Sequence, residues 1–415
     1  MSVGLGMVSG NEVKDDLKPF WNRYFILALF SYFFLFMSIT LFFLFPLFLK
    51  QFNASRSQIG LIMGVHSLMS ILIRPYIGRL VDKRGRKNVS LFGIGFLIFI
   101  LPLFHLIKDA GLFPLSLRAL MGLGWGISMT ATMTICSDLA PLERVAHSMG
   151  IIGVAGLLSS ALGPWLAEGI INLYGFSALF NTSLAFLFAS FICMLFTKEA
   201  LKFNQGVDTG EKGGLQKVSI LVILMISFLP IVHGAVRGAV VFFIALFGKS
   251  INLQKIGPFF TAFSIAAILT RIFVGGLSDR YGRKQVIFPA ALIISFNLFL
   301  ISQTKAFWMY VLCGFIGGFG QGLIFPALST YFIDTLGREN KGLAISLYLS
   351  FFDVGMGLGS TFFGWISDLY GYRNMFLFAG VVLFIAAVFF LLKAPSPRRE
   401  IRKPESRDSS YSFKT

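Results

Sequence analysis

The sequence predicts an all-α polytopic membrane protein, with twelve transmembrane helices arranged as two homologous six-helix bundles. Three observations predict it. Of the 415 residues, 56% are apolar and only 13% are charged, about half the ~25% charged content of a soluble globular domain. The apolar residues gather into runs near the roughly 20 residues that cross a bilayer as a helix. Finally, GRLVDKRGRK at 78–87 returns as GGLSDRYGRK at 275–284, 197 positions later.

The runs can be taken in order. The first, 23–49, is too long for a signal-peptide core and is followed by no small-residue cleavage site, so it is expected to be a retained helix. The runs 58–81, 89–107, 112–137, 145–172 and 176–196 complete a first set of six. The runs 218–248, 254–277, 285–303, 307–333, 341–367 and 373–392 make the second. None shows the ten-residue alternation of a transmembrane strand. Gly150, Gly153 and Gly156 in the fifth run, and Gly355, Gly357 and Gly359 in the eleventh, supply smooth surfaces for close helix packing. Pro230 in the seventh and Pro326 in the tenth predict kinks. Polar segments divide the chain into an N-terminal tail (1–20), a first bundle (21–197), a linker (198–217), a second bundle (218–393) and a basic tail (394–415).

The repeat runs deeper than one loop. Arg74 and Arg271 precede the two loop sequences by the same spacing, and Gly122, Gly124 and Gly126 correspond to Gly318, Gly320 and Gly322. INLYGF at 171–176 pairs with SDLYGY at 367–372. Two parallel repeats about an axis along the membrane normal predict a transporter with its substrate site between the halves. An even number of crossings puts both termini on one side. That side holds the Lys/Arg-rich segments 79–87, 198–217, 280–284 and 393–414, which predicts a multi-pass plasma (inner) membrane protein with both termini cytoplasmic. The same bias accounts for the net charge of +17 without invoking nucleic acid.

Charges within the runs are the informative ones, since each costs about 2.5–3.5 kcal/mol at a helix centre unless paired or hydrated. Arg118 sits six residues into the fourth run and has Gly314 as its repeat equivalent, so it marks an asymmetry between the halves. Asp353 lies twelve residues into the eleventh run, about 18 Å of helical rise and near mid-depth. Glu168 lies toward the far end of the fifth run, and Arg237 toward the outer half of the seventh, one turn after His233. Asp353 and Glu168 are the candidate proton carriers.

The doubled loop, the R-x-x-x-G-x-G-x-G pattern from Arg118 to Gly126, and Gly163-Pro164 resemble the major facilitator superfamily over essentially the whole chain. Within it, the last two features look like the proton-coupled drug and metabolite exporters. The sequence departs from the exporter pattern G-x-x-x-G-P-x-x-G-G after the proline, where Trp165, Leu166, Ala167, Glu168 and Gly169 follow. The resemblance implies that Gly78 and Asp82 hold the second helix against the eleventh in a gating latch, with Arg86, Asp138 and Arg144 in a charge relay. Gly275, Asp279, Arg283, Asp334 and Arg338 would repeat it in the second half. It also implies that Arg118 is a proton relay or substrate contact and that helices 1, 4, 7 and 10 line the cavity. Tyr32, Trp125, Met129, Gln321 and Phe325, together with His233 and Arg237, are then candidate lining residues, which suggests an amphipathic or partly apolar organic solute.

Other classes find little support. The chain lacks the G-x-x-x-x-G-K-[ST] loop of an ATP-driven pump and a nucleophile elbow. Cys136, Cys193 and Cys313 show no metal or redox spacing, so no cofactor is called for. The leading expectation is secondary active transport of a small organic solute, exported against inward proton flow by a monomer in the lipid bilayer. Uptake by symport or facilitated diffusion is the alternative within transport. A non-transporting receptor or assembly factor on the same fold is the alternative outside it.

Overall fold

The computed structural model describes residues 22–139, 145–199, 220–274, 276–337 and 341–395. Among the described residues, ten helices are long and apolar enough to cross a membrane. Two of these are twice the length a bilayer needs, and each breaks at a glycine with positive φ: Gly175 (φ 78°) and Gly371 (φ 80°). With both broken helices counted as two arms, the described residues supply the twelve predicted crossings.

The first crossing is α1 (Arg23–Leu41), a short 3₁₀ turn and α2 (Phe45–Gln51). Asn22 starts it by accepting the Phe25 N–H in its side chain, which satisfies one of the open donors of the first turn. Next come α3 (Arg56–Arg84), α4 (Arg86–Ile100) with a 3₁₀ extension, and α5 (Leu112–Asp138). Ser55 and Gln58 form a reciprocal capping box at the start of α3. Helix α6 (Val145–Phe196) holds the fifth and sixth crossings. The second half runs through α7 (Ile220–Ser250), α8 (Gly257–Val274), the short α9 (Leu277–Tyr281), α10 (Arg283–Gln303) and α11 (Phe307–Leu336) to α12 (Lys341–Lys393).

The reversals within α6 and α12 can be read from their neighbours. Gly156 faces Tyr32 and Phe36, and Gly163 faces Thr40, so the first arm of α6 runs parallel to α1. Ser31 pairs with Ser190 and Ser38 with Ser183, so the second arm runs antiparallel to it. Helix α7 plays the same part for α12. Gly234 abuts Phe352 and Gly238 abuts Met356 on the first arm, whereas Phe228 meets Phe389 and Phe247 meets Phe376 of the second edge to face. These serine pairs and edge-to-face rings do inside a bilayer what solvent exclusion does in water, because lipid offers helices no hydrophobic drive to associate.

The repeat is reproduced in three dimensions. Gly85 (φ 85°) and Gly282 (φ 103°) make the same left-handed turn before α4 and α10. Arg86 then pairs with Asp138 across α4 and α5, as Arg283 Nε does with Asp334 Oδ2 at 2.7 Å across α10 and α11.

Candidate functional site

The described residues begin at Asn22, bonded to Leu139 at the end of α5, and end at Pro395, bonded to Tyr331 near the end of α11. The face of the bundle they share is here the terminal face, and the opposite one is the distal face. Each half sends its fifth-crossing arm to the distal end of the other half's second crossing, and a carboxylate closes each junction. From the first arm of α6, Glu168 accepts the backbone N–H groups of Ile256 (Oε1, 2.7 Å) and Gly257 (Oε2, 2.8 Å) at the start of α8. From the first arm of α12, Asp368 accepts the N–H groups of Arg56 (Oδ1, 2.8 Å) and Ser57 (Oδ2, 2.8 Å) at the start of α3, and the Ser57 hydroxyl at 2.6 Å. The geometry is favourable for a simple reason. A helix start presents open N–H donors and a partial positive charge, and a carboxylate answers both.

Close packing seals the rest of the distal side. Ser360 donates to the Gly60 carbonyl at 2.9 Å, and Thr261 to that of Ala161 at 2.9 Å. A Cβ at Gly60, Gly64 or Gly364 would collide with the backbone or side chains across the junction. Phe43 and Phe260 add a ring contact across the halves at 5.6 Å.

Beneath this seal lies a cavity of about 160 Å³. Its polar wall comes from α3 and α5 (His66, Ser67, Ser70, Arg74 and Arg118), and Asp353 on α12 faces them. Phe36, Phe42, Phe43, Trp125 and Phe242 supply aromatic surface, with Met63 and Met356 as adaptable apolar contacts. At its terminal end Arg74 Nη1 and Asp353 Oδ2 form an ion pair of 2.6 Å that joins the two halves. Nearer the distal seal, Arg118 is buried, with Nη1 3.4 Å from the Met121 sulfur and the guanidinium 5.7 Å from the Phe42 ring. Its Nε has no hydrogen-bond partner among the described residues.

The residues predicted from sequence fall into separate places. Arg118, Asp353 and Trp125 share the cavity. Glu168 stands away from it, in the distal junction. His233 bonds to Gln321 at 2.9 Å, and with Arg237 they line a small cavity of about 20 Å³ inside the second half. The Arg237 guanidinium lies 4.1 Å above the Phe263 ring. Tyr32 is buried against Phe36, and Phe325 lies beneath the Arg271 guanidinium at 5.6 Å. Met129 is half-buried against the core. Gly78 has open space where a Cβ would sit, so α3 approaches α12 at its distal rather than its terminal end. Asp138, Arg86, Arg283 and Asp334 form pairs within each half. Gly275, Arg144 and Arg338 lie outside the described residues, as do the side chains of Asp82 and Asp279.

Sequence reasoning did not assign a role to Arg74, although its repeat spacing with Arg271 was the available signal. Asp368 carried none, since it belongs to a repeated segment that reads as a turn. Among the described residues no cluster of His, Cys, Asp or Glu is arranged to hold a metal.

The Major Facilitator Superfamily model matches residues 25–254 and again 226–413, one match to each half. The chain is 27% identical to the multidrug resistance protein MdtG of Salmonella choleraesuis (strain SC-B67) over 359 residues, covering 82% of this chain and 88% of that protein. It is 25% identical to the staphylopine export protein of Staphylococcus aureus (strain Mu50 / ATCC 700699) over 368 residues, covering 85% and 91%. Among solved structures, a mutant of the nucleoside transporter NupG superposes with a TM-score of 0.78 at 13% identity, covering 90% of this chain and all of that one.

Proposed function

We propose that this chain, which belongs to the major facilitator superfamily, exports a small organic solute by proton-coupled alternating access. The observation that carries the reading is the pairing of a sealed distal side with a charged cavity beneath it, bridged between the halves by Arg74 and Asp353. Such an arrangement is one end of a rocking cycle in which each half moves as a unit about a central site. The positive-inside bias makes the terminal face cytoplasmic, so this conformation is closed to the outside. The sequence likeness to a multidrug resistance protein and an export protein supports the outward direction.

Asp353 is suited to the proton step. When the carboxylate is ionised it holds Arg74 across the interface, and when protonated it loses most of that attraction, which frees the halves to move. Coupling then requires no metal or nucleotide, and the protein works as a monomer without enzymatic chemistry. Arg118 lies on the other wall, where a solute entering the cavity meets it before the seal.

Purified protein in liposomes with an imposed pH gradient tests the reading. Acid on the side opposite the termini should drive solute out past that face, and reversing the gradient should reverse the flux. Co-movement of solute and proton in one direction would overturn export in favour of symport. Flux indifferent to the gradient would remove the proton altogether.

A further inference from the structure

The charges around the cavity do not balance. Arg74 has Asp353. Arg118 lines the same cavity and is 3% exposed; among the described residues its polar and ring contacts are the Met121 sulfur and the Phe42 and Phe45 rings, and Nε has no hydrogen-bond partner. Arg271 occupies the repeat position of Arg74 and likewise reaches across to the other half, where Nη1 comes within 3.1 Å of where a Cβ on Gly153 would sit. The position on α6 equivalent to Asp353 falls at Gly156 or Leu157, depending on which of the two repeat offsets is used. Neither is acidic. Arg271 accordingly lies against the Phe325 ring, and its Nε too has no hydrogen-bond partner among the described residues.

A guanidinium keeps its charge at any working pH, and holding one in a membrane interior without a counter-charge is costly. Arg118 lines the cavity in that condition, whereas Arg271 is not among the residues that line it. The one unpaired guanidinium on the cavity wall favours a ligand that brings the missing negative charge. We propose that the transported solute is an aromatic organic anion, its carboxylate held by Arg118. The remainder of the wall agrees with this. Phe36, Phe42, Phe43, Trp125 and Phe242 present ring faces and edges, and the volume of about 160 Å³ compares with the roughly 150 Å³ of a cavity that takes one benzene ring. A guanidinium donates two parallel hydrogen bonds to a carboxylate, which neither an amide nor an amine can accept.

This inference rests on the transport reading and names its substrate class. The test is thermal unfolding of the full-length protein in lipid nanodiscs with three matched sets: benzoate, phenylacetate and indole-3-acetate; their amides; and benzylamine and phenethylamine. The carboxylates should raise Tm by about 2 °C or more at saturation, and the amides and amines should not. Arg118→Gln should abolish the shift, Arg118→Lys, which keeps the charge but loses the fork, should retain part of it, and Arg271→Gln, outside the cavity, should leave it unchanged. Should either Arg118 variant be poorly folded, titrations of Trp125→Ala and Phe42→Ala, both in the cavity wall, carry the test, and each should weaken the shift. Stabilisation by the amines or amides, silence across all three sets, or an unchanged carboxylate shift in the folded cavity variants would each overturn the proposal. The transport reading fails separately. Carboxylates that bind yet never move in the liposome assay would refute transport and leave the anion site standing. Gradient-driven flux of a cation would do the reverse.

Discussion

At the scale of single residues, the sequence marks charges but not their partners. Asp353 stands out because a carboxylate deep in an apolar run is expensive, and the structure pairs it with Arg74 from the other half. Nothing local to Asp353 identifies that arginine, 279 positions away. Arg118 is conspicuous for the same reason, yet that it has no carboxylate partner among the described residues is a fact of three dimensions. His233, Arg237 and Gln321, expected in the lining of the central cavity, lie around a second, smaller one. Their helix faces were legible, whereas the rotation of those helices toward the centre was not. A prediction follows for Asp353→Asn. The amide keeps the shape and still accepts a hydrogen bond from Arg74, so the protein should insert and fold. Gradient-driven accumulation should fall at least about tenfold, the loss of one charge-assisted contact being worth about 1.5–3 kcal/mol, while exchange of solute at equal pH on both sides persists. Full accumulation in liposomes containing this variant would take the proton away from Asp353.

Elements show a different mixture. The twelve crossings, the two kinked pairs and the doubled turn at Gly85 and Gly282 were all visible as apolar runs and repeated glycines. The distal junctions were not, because a helix start 88 positions from Glu168 leaves no mark near that residue. Glu168 therefore read as a possible proton carrier, whereas its two oxygens each hold an N–H of α8. Asp368 does the same for α3. Each junction should contribute about 1–2 kcal/mol to the closed distal side, a charge-assisted contact at a partly solvated edge. Glu168→Gln and Asp368→Asn should each raise the distal-open population roughly 5- to 30-fold. The two together should act additively, since they share no partner. Labelling of a cysteine placed at Phe43, which packs on Phe260, should speed up accordingly. Gly64→Leu is expected to act in the same direction by another route. Its side chain would occupy the space of Ser360 and Gly357, so α3 and the first arm of α12 cannot close. Unchanged labelling in all of these variants would mean that the seal lies elsewhere.

For the whole molecule, the two halves share a plan but differ where function requires it. The ion pairs Arg86–Asp138 and Arg283–Asp334 obey the repeat, and the junction carboxylates Glu168 and Asp368 play matching parts in the two halves, whereas Asp353 and Arg118 break it. Broken symmetry around the cavity gives its two walls different charges, as the proposed directional coupling would need. If the halves rock as units, fastening the distal junction must stop transport without unfolding either bundle. Ala161 and Thr261 offer the place: the Thr261 hydroxyl donates to the Ala161 carbonyl across the halves at 2.9 Å. The native thiols interfere little, as Cys136 and Cys313 are buried and Cys193 is half-buried. Ala161→Cys with Thr261→Cys should therefore form a disulfide under oxidation and abolish flux, and a reductant should restore it. Solute should still bind to the locked protein from the terminal face with nearly unaltered affinity, because the cavity and the Arg74–Asp353 pair lie below the cross-link. Undiminished flux through the oxidised double variant would show that the distal junctions need not part, and alternating access by rocking would then be the wrong mechanism.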